Sequence, residues 1–201
     1  MLYMLALHLA LIKGEMGEAA VREMCRCLRD RVPLAVEKAL EAEGEILSLA
    51  CDFTDASHLF YIGRDLDCVL CTEGSLKLKE ISYIHSEAYA AGELKHGTIS
   101  LIERGTPVVA LLTVPALAEK MVSGIREVRA RGAYVLAIAT SEIAQRLDIP
   151  CDRCIVLPDV EGAPPLFSAA CVLQMLAYHV AAQKGLDVDK PRNLAKSVTV
   201  E

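Results

Sequence analysis

Glu73, Lys77 and Glu80 stand at i, i+4 and i+7 in a stretch that holds no proline between Cys68 and Ala91. On a helix that spacing puts all three side chains on one face. A carboxylate, an ammonium and a second carboxylate in a row can move protons if the face is partly withdrawn from water, because the Lys77 charge and desolvation then set the protonation of Glu80. On an open surface helix the same row is an ordinary solvated stripe, contributing about 0.2 to 0.5 kcal/mol per pair. Leu76, Leu78, Ile81 and Ile84 flank the row on both sides. That is too apolar for a helix mostly facing water, so the stripe is expected to line a cleft.

A second candidate lies in the last sixteen residues, where Lys196 sits among small and β-branched neighbours. A lysine in apolar surroundings can lose its charge near neutral pH and attack a carbonyl. The segment follows a complete helix without strong periodicity, so spacing alone favours a frayed terminus. Pro191, Arg192 and Asn193 nevertheless favour a defined turn.

Two CxxC pairs, Cys68/Cys71 and Cys151/Cys154, could in principle make a four-thiolate zinc site. The first encloses two apolar residues without a turn former, and the second precedes a strand where a redox pair would open a helix. Both read as incidental, Cys25, Cys27, Cys51 and Cys171 read as packed core thiols, and no metal or cofactor is expected. With eight cysteines and no export signal, the thiols read as reduced and the chain as cytoplasmic.

The elements that must position these groups follow from pattern. The chain has 201 residues, 53% hydrophobic but only 4% aromatic and without Trp, so a core of Leu, Val, Ile and Ala is expected. A net charge of −6 with no basic cluster argues against nucleic acid. The apolar stretch 1–12 lacks a basic start and a cleavage site and is too short to span a bilayer, so it reads as a buried helix and no membrane is expected. Helices are expected over 2–12, 18–28, 33–43 and 46–53, with Gly14, Gly17 and Gly44 as breaks.

From residue 57 short apolar runs alternate with helical ones. Strands are expected at 58–62, 107–112, 133–139 and 154–157. Helices are expected across the central stretch of Glu73 to His85, at 116–130, at 141–147 with Ser141 as cap, and from Pro164 or Pro165 to about 184. Uniformly apolar strands alternating with helices predict a three-layer α/β fold, a doubly wound parallel sheet of flavodoxin-like type with an N-terminal helical extension. Ligands of such sheets sit outside the carboxyl ends of the strands. The loops there, such as Thr113-Val114-Pro115 and Thr140-Ser141-Glu142, lack the glycines and hydroxyls of a phosphate site.

Two long motifs bear a resemblance: Glu73-Gly-Ser-Leu-Lys-Leu-Lys-Glu-Ile-Ser-Tyr-Ile-His-Ser-Glu-Ala-Tyr-Ala-Ala-Gly-Glu-Leu-Lys-His-Gly97 and Asp189-Lys-Pro-Arg-Asn-Leu-Ala-Lys-Ser-Val-Thr-Val-Glu201. Over essentially its whole length the chain resembles the carboxyl-terminal part of the glucosamine-6-phosphate synthases, the isomerising glutamine:fructose-6-phosphate aminotransferases, namely their second sugar-isomerase (SIS) domain and the helices leading into it. The resemblance implies that Lys196 forms a Schiff base with open-chain fructose-6-phosphate, and that Glu80 moves a proton between C1 and C2. His96 assists ring opening in the neighbouring subunit's site, while Lys77 and Glu73 support. It implies that Ala195, Lys196 and Glu80 touch the sugar phosphate, and that the chain works as a homodimer.

Ser75 stands where Ala is common in this motif, and Thr98 where Pro often follows His-Gly. The glutaminase domain and the first SIS domain with its phosphate loop are missing from this sequence, so the chain is expected to be inactive alone. The division implied is 1–54 as lead-in and interdomain or dimer helices, 55–185 as SIS domain and 186–201 as active-site tail. A non-catalytic module that binds sugar phosphate or regulates, and a dimerisation element built on the apolar stretch 1–12, are the alternatives.

Overall fold

The computed structural model describes residues 1–194. Four helices come first: α1 (Leu2–Ile12), α2 (Glu18–Arg26), α3 (Val32–Leu40) and α4 (Glu43–Ala50). A π-helical turn, Cys27–Arg31, carries α2 into α3 without a break, and Pro33 occupies the first turn of α3, where its missing N–H leaves no gap in the helix. Gly44 lies inside α4 and does not separate helices. The first helix is not buried as expected. Only Leu7 of α1 is buried, while Leu2, Met4, Leu5, Leu9 and Ile12 face outward. A helix apolar all round needs cover on every side, and among the described residues α1 is covered on one side only. Of the four thiols expected in the core, Cys27 is buried, but Cys51 is exposed in the short turn after α4.

The sheet region follows as β1 (His58–Gly63), α5 (Leu66–Ser82), β2 (His85–Ala90), β3 (Pro107–Leu112), α6 (Ala118–Arg129), β4 (Tyr134–Thr140), α7 (Ser141–Arg146), β5 (Arg153–Leu157) and α8 (Leu166–Gln183). All five strands are parallel, in the order β2-β1-β3-β4-β5. The three-layer, doubly wound fold is therefore as expected, with one strand more. β2 begins at His85, the last residue of the expected central helix, in a stretch where no strand was expected. That helix stops at Ser82 because Tyr83 turns left-handed, at φ 61°. β2 then forms a sheet edge whose residues are mostly half-buried, so it lacks the apolar run that marks the inner strands. The cap of α7 also differs: Thr140, not Ser141, accepts the Ile143 N–H, at 3.4 Å.

One apolar cluster lies between the sheet and α3, α4, α5 and α8, and contains Leu59, Tyr61, Leu111, Leu136 and Ile155. The other lies under α6, α7 and the turn after β2, around Phe60, Ile62, Val108 and Val135. Strand residues alternate between the two, as the period of two requires. α8 is long and apolar enough to cross a membrane by length and composition. Its Val172, Leu173, Leu176 and Val180 are buried in the first cluster, however, which is the pattern of a core helix.

Two glycines let α5 approach. A Cβ on Gly63 would lie 2.5 Å from the Asp67 carbonyl carbon, and one on Gly74 would lie 3.2 Å from both Leu173 and Tyr61 side chains. Gly63→Ala is expected to lower stability by about 1 to 3 kcal/mol, because the obstacle is backbone and cannot rotate away. Its denaturant midpoint should fall with an unchanged slope. Tyr61 is fully buried, and its hydroxyl has no hydrogen-bond partner among the described residues. Tyr61→Phe is expected to raise the same midpoint, by an amount equivalent to about 1 kcal/mol.

Candidate functional site

α5 starts beside the carboxyl end of β1 and runs back to the amino edge of the sheet, where β2 begins with His85 opposite His58. Polar contacts fix both ends of its buried face. Asp67, 1% exposed, accepts the Thr113 N–H at 2.8 Å and the Thr113 hydroxyl, tying the first turn to the end of β3. Burial pushes the Asp67 carboxyl up, and these hydrogen bonds pull it part of the way back. Farther along, Ser75 and Ser86 hydroxyls are 3.0 Å apart and Ser86 donates to the Ser75 carbonyl at 2.8 Å. The serine that stands where the resembling family often has Ala thus pins the helix to the edge strand.

Cys71, Gly74, Ser75, Leu78 and Ser82 form the buried face. Helical geometry then turns Glu73, Lys77 and Glu80 to the outward half, beside Leu66, Val69 and Leu76. Leu76, expected to be packed, is exposed along with Leu66 and Val69. Lys77 Nζ meets Glu80 Oε2 at 2.7 Å, with side chains 35% and 28% exposed. The hydrogen bond to Glu80 holds the Lys77 ammonium above its ordinary range; burial opposes it, and the Glu80 and Glu73 charges add to it. The stripe is half-withdrawn from water, and five surface clefts among the described residues, of about 320 to 560 Å³, are lined by other residues.

The tail returns to this end of α5. Asp187 accepts the N–H groups of Asp189 at 3.0 Å and Lys190 at 3.2 Å, which turns the chain. The Arg192 N–H then donates to the Tyr83 hydroxyl at 2.8 Å, and the Arg192 guanidinium lies 4.0 Å over the Tyr83 ring. Tyr83 is three residues beyond Glu80, and nothing in the spacing of the sequence singled it out. The one hint is the change from helical to alternating pattern just after it. Ala195 and Lys196 lie outside the described residues.

His96 is not gathered with the stripe. It sits in a short turn, Leu94–His96, beyond the carboxyl end of β2, and its side chain is 75% exposed and 4.0 Å from Glu93. Glu80 is near the opposite edge, so the two are separated by the length of β1, roughly 17 Å at 3.3 Å per residue.

At the carboxyl ends of β3, β4 and β5 lies a cleft of about 420 Å³. Three of its four hydroxyl side chains are engaged, Thr113 with Asp67, Thr140 in capping α7 and Ser168 with the Ala35 carbonyl at 3.2 Å, and the fourth belongs to Ser141. Glu142 and Asp159 add negative charge to the lining.

The family described as SIS domain matches residues 52–184. Over 201 residues, all of this chain, it is 50% identical to the glutamine–fructose-6-phosphate aminotransferase (isomerizing) of Caldanaerobacter subterraneus subsp. tengcongensis. Over 200 residues it is 46% identical to the enzyme of the same name from Clostridium tetani. The chain spans 33% of each of these curated relatives and matches their carboxyl-terminal part. Among solved structures, the C-terminal domain of glucosamine-fructose-6-phosphate aminotransferase from Francisella tularensis aligns with a TM-score of 0.85 and 34% identity, covering 92% of this chain and 51% of that one.

The Lys77–Glu80 contact makes a pH prediction. The folded pKa of Lys77 is raised, so its contribution is fully present below the ordinary lysine value of 10.5 and is lost as pH rises through the higher folded value. Lys77→Met is expected to cost less than about 1 kcal/mol at neutral pH, as for other half-exposed pairs. The difference from wild type should shrink steadily above pH 10.5 in chemical denaturation.

Proposed function

The chain belongs to the SIS domain family, and from that premise we propose that it is the isomerase lobe of a glutamine:fructose-6-phosphate aminotransferase. The observation that carries this reading is the docking of Arg192 on Tyr83, three residues from Glu80. Four further residues of extended chain reach at most about 14 Å, and this short reach supports a role for Lys196 beside Glu80.

On this reading the Lys196 amine adds to C2 of open-chain fructose-6-phosphate and, with loss of water, forms an imine. Ammonia derived from glutamine then displaces the lysine. The Glu80 carboxylate removes a proton from C1 and returns it to C2, which yields glucosamine-6-phosphate. Lys77, bonded to Glu80 at 2.7 Å, holds that carboxylate in place, and Glu73 adds to the field that keeps Lys77 charged. His96, exposed and far from its own chain's Glu80, serves ring opening in a second copy. Leu66, Val69, Leu76 and the outward side of α1 are apolar and open, which supports a homodimer and a covering first SIS domain that brings the phosphate seat. Residues 1–54 then act as interdomain helices and 186–201 as the active-site tail, in a cytoplasmic enzyme. A glutaminase segment, in the same or another chain, supplies the ammonia.

The test is a chimera in which this chain replaces the matching third of the Caldanaerobacter relative. It is expected to make glucosamine-6-phosphate. Glu80→Gln should lower turnover by about 10² to 10⁴, while borohydride still traps the ketose phosphate on Lys196. Lys196→Ala should abolish both trapping and turnover. An active chimera indifferent to Lys196→Ala, or an imine trapped on another lysine, would defeat the reading.

A further inference from the structure

Cys151 and Cys154 share one face of the sheet, at its β5 edge. Cys154 is the second residue of β5 and pairs with Ala137 of β4. Cys151 precedes the strand, and both side chains pack, half-buried, against the apolar cluster on the α6 side. The chain between them is anchored and bent. The Cys151 N–H bonds to the Ile149 carbonyl at 2.9 Å. Asp152 engages Val135 of β4 twice, donating to its carbonyl at 2.9 Å and accepting its N–H at 2.7 Å. An extended chain would carry side chains three residues apart to opposite faces, whereas here the chain bends at Asp152 and both thiols pack against the same apolar cluster.

The charges around the pair are unequal. Arg129, at the end of α6, lies 2.8 Å from Asp152, an ion pair rather than an aligned hydrogen bond. The neighbouring Cys154 thiol is the main cause that lowers the Cys151 thiol to about 7, with Arg129 and the Ala137 amide helping and burial and Asp152 opposing. Cys154 is pushed up by the neighbouring Cys151 sulfur, by burial, and by the charge of Glu45. One sulfur is thus ready to attack while its partner keeps its proton, the division between attacking and resolving thiols. The other pair differs: Cys68 and Cys71 are both pushed up by burial, and Cys71 is sealed in the core. A strand follows Cys154 where a redox pair usually opens a helix, but Arg129 provides the positive field that a helix N-terminus would otherwise give.

We propose that Cys151 and Cys154 form a reversible dithiol–disulfide site whose reaction partner is a small disulfide of the oxidised-glutathione class. The Cys151 thiolate attacks one sulfur of that molecule and expels the other as a thiolate, leaving a mixed disulfide on Cys151. Cys154 then gives up its proton and attacks the Cys151 sulfur, expelling the second thiolate. Two electrons pass from the protein pair to the small disulfide, and the two protein protons end on its two thiols. The site is independent of Glu80 and Lys196.

The 201-residue chain equilibrated in glutathione redox buffers, acid-quenched, alkylated and mapped by peptide mass spectrometry reads this directly. Expected are a Cys151–Cys154 disulfide that reverses in reduced buffer, a halt at the glutathione mixed disulfide on Cys151 in Cys154→Ser, and neither product in Cys151→Ser. In wild type the alkylation rate of Cys151 should be half-maximal near pH 7, and Cys154→Ser should move that midpoint toward the ordinary thiol value of about 8.5. Adducts confined to the exposed Cys51 under fully oxidising buffer, a mixed disulfide that forms first on Cys154, or a Cys151 profile unmoved by Cys154→Ser would overturn the proposal.

Discussion

The close seating of α5 on β1 and α8 governs the rest of the molecule. It requires no side chain at Gly63, where the helix leaves the strand, and none at Gly74, where Tyr61 and Leu173 press against the helix. With that contact made, the face of α5 that carries Cys71, Gly74, Ser75, Leu78 and Ser82 is committed to the core, and its rotation about its own axis is fixed. Asp67 can then reach Thr113, Ser75 can reach Ser86, and Glu73, Lys77 and Glu80 are left on the outward half. Packing of this density does not tolerate a slip of one residue, so the placement of the charged row follows from the placement of the glycines.

The same seating leaves the charged row open within a single chain. Imine and proton-transfer chemistry gains from a site closed to water, because charges interact more strongly there. Yet Lys77 and Glu80 keep about a third of their surfaces in solvent, and their neighbours Leu66, Val69 and Leu76 are exposed. The two ends of the sheet also divide labour. The acid and the docked tail lie at the amino edge, whereas His96 and the acidic cleft lie at the carboxyl edge. On the proposed function both features have one cause: the reaction chamber is completed by surfaces that other parts of the enzyme bring.

The sequence by itself determined the fold class, because buried parallel strands must be apolar throughout and β1, β3, β4 and most of β5 are. It determined the shared face of Glu73, Lys77 and Glu80, because helical spacing alone fixes that, and the two long motifs carried the family. Tertiary structure decided the rest. β2 was not legible, since its His-Ser-Glu-Ala-Tyr-Ala run is polar or small where the other strands are apolar, and α1 was misjudged because hydrophobicity reports the need for cover and not its presence. The strand after Cys151 and Cys154 argues locally against a redox pair, whereas the face they share depends on Asp152 gripping a neighbouring strand and the charge beside them on Arg129 from a distant helix. The Arg192–Tyr83 contact joins residues 109 positions apart, and no local pattern encodes a partner at that range.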